Sequence, residues 1–192
     1  MPKVGMEPIR RKQLIEATQA CIGEVGFGAT TVQSIAKRAG VSAGIIAHYF
    51  GNKMGLLEAT MRELLQQLKV ELIERLGSSA TPRDRINAII DTNFSKTQTN
   101  ALAAKTWLAF WSGAMHEPAF AQLQRINKMR LHSNLKYSFK ELGLADPDHA
   151  AASLSALIDG LWLRGALSPE GIDVDRCVDL CCRHAELLIQ AG

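Results

Sequence analysis

The chain is poor in the residue patterns that metal, redox and hydrolytic chemistry require. Its four cysteines, Cys21, Cys177, Cys181 and Cys182, include no C-x-x-C pair, and none of its five histidines stands at zinc-finger spacing. Cys177 and Cys181 are four apart, so a helix would turn both to one side as small apolar packers. His48, His116, His132, His149 and His184 complete no Ser-His-Asp, Cys-His or metal pattern. Neither an enzyme nor a bound metal or cofactor is expected. No apolar run reaches bilayer length, and no charged-then-apolar leader with a small-residue cleavage site opens the chain. A cytoplasmic protein without a membrane partner is expected. Strand-like alternation, internal repeats and low-complexity stretches are missing as well.

What is present is helical periodicity. Hydrophobic residues make up 47% of the 192, with few Gly-Pro clusters, which favours a folded, mostly helical chain. That length holds a small unit plus a larger helical core. Ile9, Leu14, Ile15, Cys21, Ile22 and Val25 supply the inner face of a first helix that begins near Pro8 and ends at Gly26. Asn52 caps a long helix to about Leu76, along which Met54, Leu57, Met61, Leu64, Leu65, Leu68, Leu72 and Leu76 recur at three- and four-residue spacing. After the loop 77–82, helices are predicted over about 83–97, 101–114, 118–142, 147–166 and 174–190. Breakers at Thr99-Asn100, His116-Glu117-Pro118, Gly143 and Ser168-Pro169-Glu170-Gly171 separate them.

Residues 30–53, TTVQSIAKRAGVSAGIIAHYFGNK, read as two short helices joined by a tight turn. The first, about Val32 to Ala39, starts after Thr31 as N-cap and stops at Gly40, where a left-handed backbone costs least. Ser42 caps the second, about Ala43 to Tyr49. Val32, Ile35 and Ala36 form one apolar stripe, and Val41, Ile45 and Ile46 another, so the pair should pack across the turn. Ala43, Gly44, Ala47 and His48 are left facing outward. Gly44 there costs helix propensity against alanine, but small side chains permit close approach of the backbone to another surface, as the DNA major groove demands. The bland alternative is a plain helical hairpin with a glycine defect.

Several spaced blocks carry a wider resemblance: G-F-G-A-T-T-V at 26–32, I-A-x-x-A-G-V-S at 35–42 and H-Y-F-x-x-K-x-x-L at 48–56. The segment from Arg10 to Leu57 resembles the N-terminal domain of the TetR family of bacterial repressors. That resemblance implies an all-α chain of nine helices. Three form a helix-turn-helix DNA-binding domain over 1–52, and six form a ligand-binding and dimerisation domain over 53–192. It also implies that Ser42, Ala43, Gly44 and His48 face the groove of double-stranded operator DNA while Thr31, Tyr49 and Lys53 reach phosphates; Ala47 joins that face by helix spacing. The chemistry fits: hydroxyls donate to phosphate oxygen, His48 can donate to a guanine acceptor or equally to the DNA backbone, and Ala43 and Ala47 offer methyl contact with thymine. Charge placement agrees. Residues 1–53 hold seven basic residues (Lys3, Arg10, Arg11, Lys12, Lys37, Arg38, Lys53) and three acids, net +4, whereas the remainder is net −1. Phe50 reads as a core plug, and Tyr49 as a ring with only its hydroxyl showing.

Farther along, Trp107 and Trp111 share a helix face in K-T-W-L-A-F-W, and Asp159 precedes Trp162 by three in L-I-D-G-L-W-L-R-G. Asp91 is a further acid in an apolar run. A carboxylate on an apolar face is costly unless paired, and Arg164 or Lys105 could pair it. The other reading is an aromatic cage with a negative group, suited to a quaternary ammonium. Leu154, Leu157, Ile158, Leu161, Trp162 and Leu163 surround most of one late helix. Val174, Val178, Leu180, Leu187, Leu188 and Ile189 crowd the last, so each should be buried on more than one side. Ser153, Ala156 and Gly160 form a small-residue row that would let another helix approach. The opening M-P-K-V-G-M-E-P-I-R-R-K-Q-L-I-E-A-T, the K-T-W-L-A-F-W run and L-I-D-G-L-W-L-R-G-A-L resemble the choline-responsive BetI-type repressors of glycine-betaine synthesis. This resemblance implies a homodimer through the two C-terminal helices and repression of choline-uptake and choline-oxidation genes. Choline would be the effector, bound by Asp91, Trp107, Trp111, Asp159 and Trp162. Rival readings are a sensor of other lipophilic cations, as for an efflux pump, an enzyme with a helical core, and an architectural DNA binder.

Overall fold

A computed structural model describes residues 6–192; Lys3 and the other residues of the opening M-P-K-V-G lie outside them. Among the described residues the chain is helical without a strand. It comprises α1 (Met6–Ala29), α2 (Val32–Ala39), α3 (Ala43–Phe50), α4 (Lys53–Gly77), α5 (Pro82–Asn93), α6 (Lys96–Thr99), α7 (Ala101–Ala114), α8 (Pro118–Glu141), α9 (Pro147–Ala166) and α10 (Val174–Ala191). Setting aside the single turn α6, nine helices remain, as the periodicity implied. They fall into two compact units, one of residues up to Leu65 with Leu102–Leu123, the other of Gln66–Ala101 with Gln124–Gly192.

The first unit is organised around Leu14, Ala17, Cys21, Ile35, Ala36, Ile46 and Leu56, all buried, with Val32, Val41, Ile45, Tyr49 and Phe50 packed against them. α1 departs from expectation at both ends. Ile9 and Val25 are 52% and 54% exposed rather than inward. Gly26, at φ 79° and ψ 170°, is non-helical and breaks the helix as expected, and a further short turn runs on to Ala29. The buried Thr30 hydroxyl donates to the Gly26 carbonyl at 2.7 Å and holds the bend. Beside it, Phe120 meets Phe27 and Phe110 edge-on at 5.9 and 5.8 Å between centroids.

The second unit packs α10 against α9 and α5. Its buried side chains include Ile89, Ile90 and Phe94 of the α5 region, Leu154 and Ile158 of α9, and Cys177 and Cys181 of α10. The helix anticipated over 83–97 is broken into α5 and α6. Ser95 is extended there, and its hydroxyl and that of Thr97 both donate to the Glu71 carboxylate at 2.9 and 2.7 Å. A carboxylate satisfied by two hydroxyls is a better partner than one more helical turn. The cysteines behave as packers: Cys177 and Cys181 are buried, and burial pushes the Cys181 thiol up to about 12.

Candidate nucleic-acid interface and effector residues

The helix pair at 32–50 is built by local chemistry. Thr31 adopts an extended backbone and its hydroxyl accepts from Ser34 N–H at 3.1 Å, while Ser34 Oγ accepts from Thr31 N–H at 3.0 Å, a reciprocal cap. Gly40, at φ 66° and ψ 36°, closes α2 in the left-handed region, and Val41 N–H returns to Ala36 O at 3.0 Å. α3 follows with only Ile46 fully buried. Ser42, Ala43, Gly44, Ala47 and His48 are all exposed, Thr31 is exposed, and Tyr49 and Lys53 are half-buried. Ser42 occupies the N-cap position, but among the described residues its side chain makes no capping bond. That differs from the expected cap, since the turn from Gly40 already orders the chain. The His48 and Tyr49 rings meet at 5.0 Å between centroids. Lys53 opens α4 two residues after Gly51, at a helix start that favours anions.

The turn from α3 into α4 is unusually constrained. Asn52 N–H bonds the Phe50 carbonyl at 2.9 Å, and the Asn52 side chain accepts from Gly55 N–H at 2.9 Å, so Asn52 does cap α4. A Cβ on Gly55 would fall on the Phe50 carbonyl oxygen, so only hydrogen fits. Arg11 reaches in from α1, donating Nη1–H to the Tyr49 carbonyl at 2.6 Å, with its guanidinium 4.4 Å from the Phe50 ring centroid. Counting basic residues along the sequence registers Arg11 as charge. Its reach across 38 positions has no sequence signal, and Gly55 is equally silent.

The five residues assigned to an effector fall in both units. In the first, Trp107 is buried and Trp111 half-buried, with ring centroids 6.3 Å apart and planes at 52°. In the second, Trp162 is buried and Asp159 lies a turn before it on α9. Asp159 is exposed as a residue. Burial raises its pKa, against the opposing charge of Lys128. Asp91 is likewise raised by burial, with Arg75 acting against it. Its cation is Arg75, 4.0 Å away, rather than the Arg164 or Lys105 anticipated. Arg164 is exposed, and Lys105 instead donates to the Gly23 carbonyl at 2.7 Å. Those pairings are tertiary and invisible to helix-face reasoning. Asp91 opens on a cleft of about 650 Å³ whose lining includes Glu71, Arg75, Phe94, Lys96, Asp175 and Asp179. Burial raises the Glu71 carboxyl, but bonds from Thr97, Ser95 and Arg75 outweigh it and hold it below the usual range.

The last two helices are less enclosed in the single chain than their composition suggests. α9 buries Ala150, Ala151, Leu154, Ser155, Ile158 and Trp162. Ala156 and Leu163 are exposed, and a Cβ on Gly160 would meet open space. On α10, Leu180 and Leu187 are exposed. Ser153 Oγ and His184 Nε2 lie 2.8 Å apart and tie the two helices together. The expectation of burial on more than one side is not met within one copy, because among the described residues no further element covers those positions.

Residues 14–60 match the family described as bacterial regulatory proteins, tetR family, and residues 82–190 match the BetI-type transcriptional repressor, C-terminal. A Chromohalobacter salexigens protein named HTH-type transcriptional regulator BetI 2 is 56% identical over 176 residues, covering 90% of this chain and 85% of its own. The HTH-type transcriptional regulator BetI of Pseudomonas paraeruginosa is 52% identical over 183 residues, covering 94% and 93%. Among solved structures, a transcriptional regulator from Pseudomonas aeruginosa PAO1 superposes with TM-score 0.85 at 28% identity, covering 95% and 91%. One from Saccharomonospora viridis, crystallised in complex with choline, gives 0.83 at 21% identity, covering 93% and 96%; that likeness concerns the fold.

Proposed function

The chain belongs to the TetR family and carries a BetI-type repressor C-terminal domain, and from that premise we propose a choline-responsive repressor that binds an inverted-repeat operator as a homodimer. Its relatives regulate transcription rather than catalyse a reaction. The regulated genes are those of choline uptake and of choline oxidation to glycine betaine. Residues 1–52 read DNA, and residues 53–192 bind the effector and the second copy.

One observation carries the reading: the outward side of α3 is all small or hydrogen-bonding residues, Ala43, Gly44, Ala47 and His48, and every one is exposed. A helix with that face can enter the major groove closely enough for His48 to donate to a base and for the alanine methyls to touch thymine. Thr31, Ser42, Tyr49 and Lys53 stand at the ends of α2, α3 and α4, where phosphates are met and register is set without reading sequence. The uncovered positions Ala156, Gly160 and Leu163 of α9, with Leu180 and Leu187 of α10, supply the apolar contact for a second copy. Two-fold symmetry of that pair makes the operator an inverted repeat.

Choline brings a quaternary ammonium. Within the second unit, Trp162 supplies a ring face for it, and Asp159 and Asp91 supply negative charge. Carboxyls held above their usual pKa by burial gain from a cation, because a bound ammonium offsets the desolvation that disfavours their charge. Derepression follows if choline binds the DNA-free arrangement more tightly. The fall in operator affinity is bounded by that difference.

The test is a gel shift with DNA from upstream of the chain's own gene, at fixed salt, with and without choline. Tryptophan fluorescence should be titrated in parallel with choline, betaine aldehyde and a bulky cationic dye. Choline should bind and weaken the shift. Binding of the dye with indifference to choline would replace choline with a lipophilic-cation effector. No shift with any upstream fragment would remove the repressor reading.

A further inference from the structure

We infer that Arg11 is the positioning residue of α3: a clamp from α1 that sets the angle of the reading helix without touching DNA. The inference rests on α3 being the element that enters the groove. α3 has eight residues, about two turns, too short to hold a direction by itself. One flank is fixed by Ile46 in the core. What remains to be fixed is its C-terminal end, where helix carbonyls lack internal partners.

The accounting of those carbonyls singles out Arg11. Ala47 O is taken by Gly51 N–H at 2.9 Å, and Phe50 O by Asn52 N–H at 2.9 Å. Tyr49 O receives Arg11 Nη1–H at 2.6 Å. The guanidinium lies with its carbon 4.4 Å from the Phe50 ring centroid. One planar cation therefore grips two successive residues, by an edge on the carbonyl and across the ring of the next. Glu7 stands 4.0 Å from the same nitrogen and holds the cation from behind. The positive charge also sits where the helix dipole is negative. A lysine there would keep the charge and lose the planar fork that lets one group make both contacts. Arg11 is thus engaged through its geometry, whereas a phosphate contact would use its charge alone.

Arg11→Lys in the full chain separates these roles. Operator duplex and a scrambled duplex of the same length are titrated across a salt series, and amide hydrogen exchange of the free protein is followed at Gly51 and Asn52. The expected result is a loss of about tenfold on the operator, little change on the scrambled duplex, and an unaltered salt slope. Exchange at Gly51 should quicken. Operator binding equal to the unaltered protein would overturn the clamp. So would a salt slope shallower by about 0.9 in Arg11→Gln, which removes the charge that Arg11→Lys keeps, because Arg11 would then be a phosphate contact. An equal loss on both duplexes would overturn it too. If the unaltered protein discriminates no duplex, the reading of α3 fails, and the exchange rate at Gly51 alone decides whether the clamp exists.

Discussion

Replacing Gly55 with alanine sets two physical effects against each other. Gly55 is the third residue of α4, and helix propensity alone would make alanine the better residue there by about 1 kcal/mol. The geometry predicts the reverse. The new Cβ would land on the Phe50 carbonyl oxygen, deep inside contact distance, and 3.2 Å from its carbon. The obstacle is main chain, so no rotamer change relieves it, and that carbonyl already accepts from Asn52. Overpacking costs about 1–3 kcal/mol, and a rigid obstacle belongs at the upper end. Set against the propensity gain, about 2 kcal/mol of stability is lost. For a chain of this size that lowers Tm by about 4–8 °C. Relief has to come from moving the turn at 50–52, to which α3 is tied, so operator affinity should fall as well. Thermal unfolding by circular dichroism and anisotropy with labelled operator measure both. A Tm that rises by a few degrees with unaltered operator binding would refute the reasoning, because propensity would then have won.

Other perturbations have equally definite outcomes. Thr31→Ala removes the reciprocal cap on α2 and should cost about 1 kcal/mol in urea unfolding; Thr31→Ser should restore most of it. In native protein at pH 8, iodoacetamide should label half-buried Cys182 first and leave Cys181 unmodified until denaturant is added, since a thiol held near 12 offers almost no thiolate. Glu71 has a depressed folded pKa, so its contribution is present above the unfolded value and disappears as pH falls through the folded one. Glu71→Gln should therefore lower Tm at pH 7 and make little difference at acid pH. Asp159 is shifted the other way, so its charge costs stability at neutral pH. Asp159→Asn should hold or raise Tm at pH 7 while weakening choline binding, and choline affinity of the unaltered protein should fall as acid protonates that carboxyl.

Caps and breakers made much of this fold legible in the sequence. Thr31 and Gly40 set the limits of α2 through bonds made within a few residues, and the 147–166 helix could be placed between Pro147 and the loop after Ala166. The break at Gly26 was legible too, whereas the Thr30 bond that holds the chain beyond it to the Gly26 carbonyl was not. Ser95 left the helix because Glu71, 24 residues earlier, claimed its hydroxyl. Asp91 found Arg75 for the same kind of reason, through packing of separate helices rather than helix-face spacing. Exposure of Ala43, Gly44, Ala47 and His48 was readable because the neighbouring Ile45 and Ile46 had to face inward. Arg11 and Gly55 were not readable, because their importance lies in contacts with the backbone of α3, which no residue pattern encodes.

Choline and operator DNA, if they act through one protein equilibrium, must be thermodynamically linked. Choline affinity should be measured by calorimetry on the free protein and again on the protein saturated with operator. Choline should bind more weakly to the DNA complex, by the same factor by which choline weakens operator binding. Identical choline affinity in the two states would contradict it.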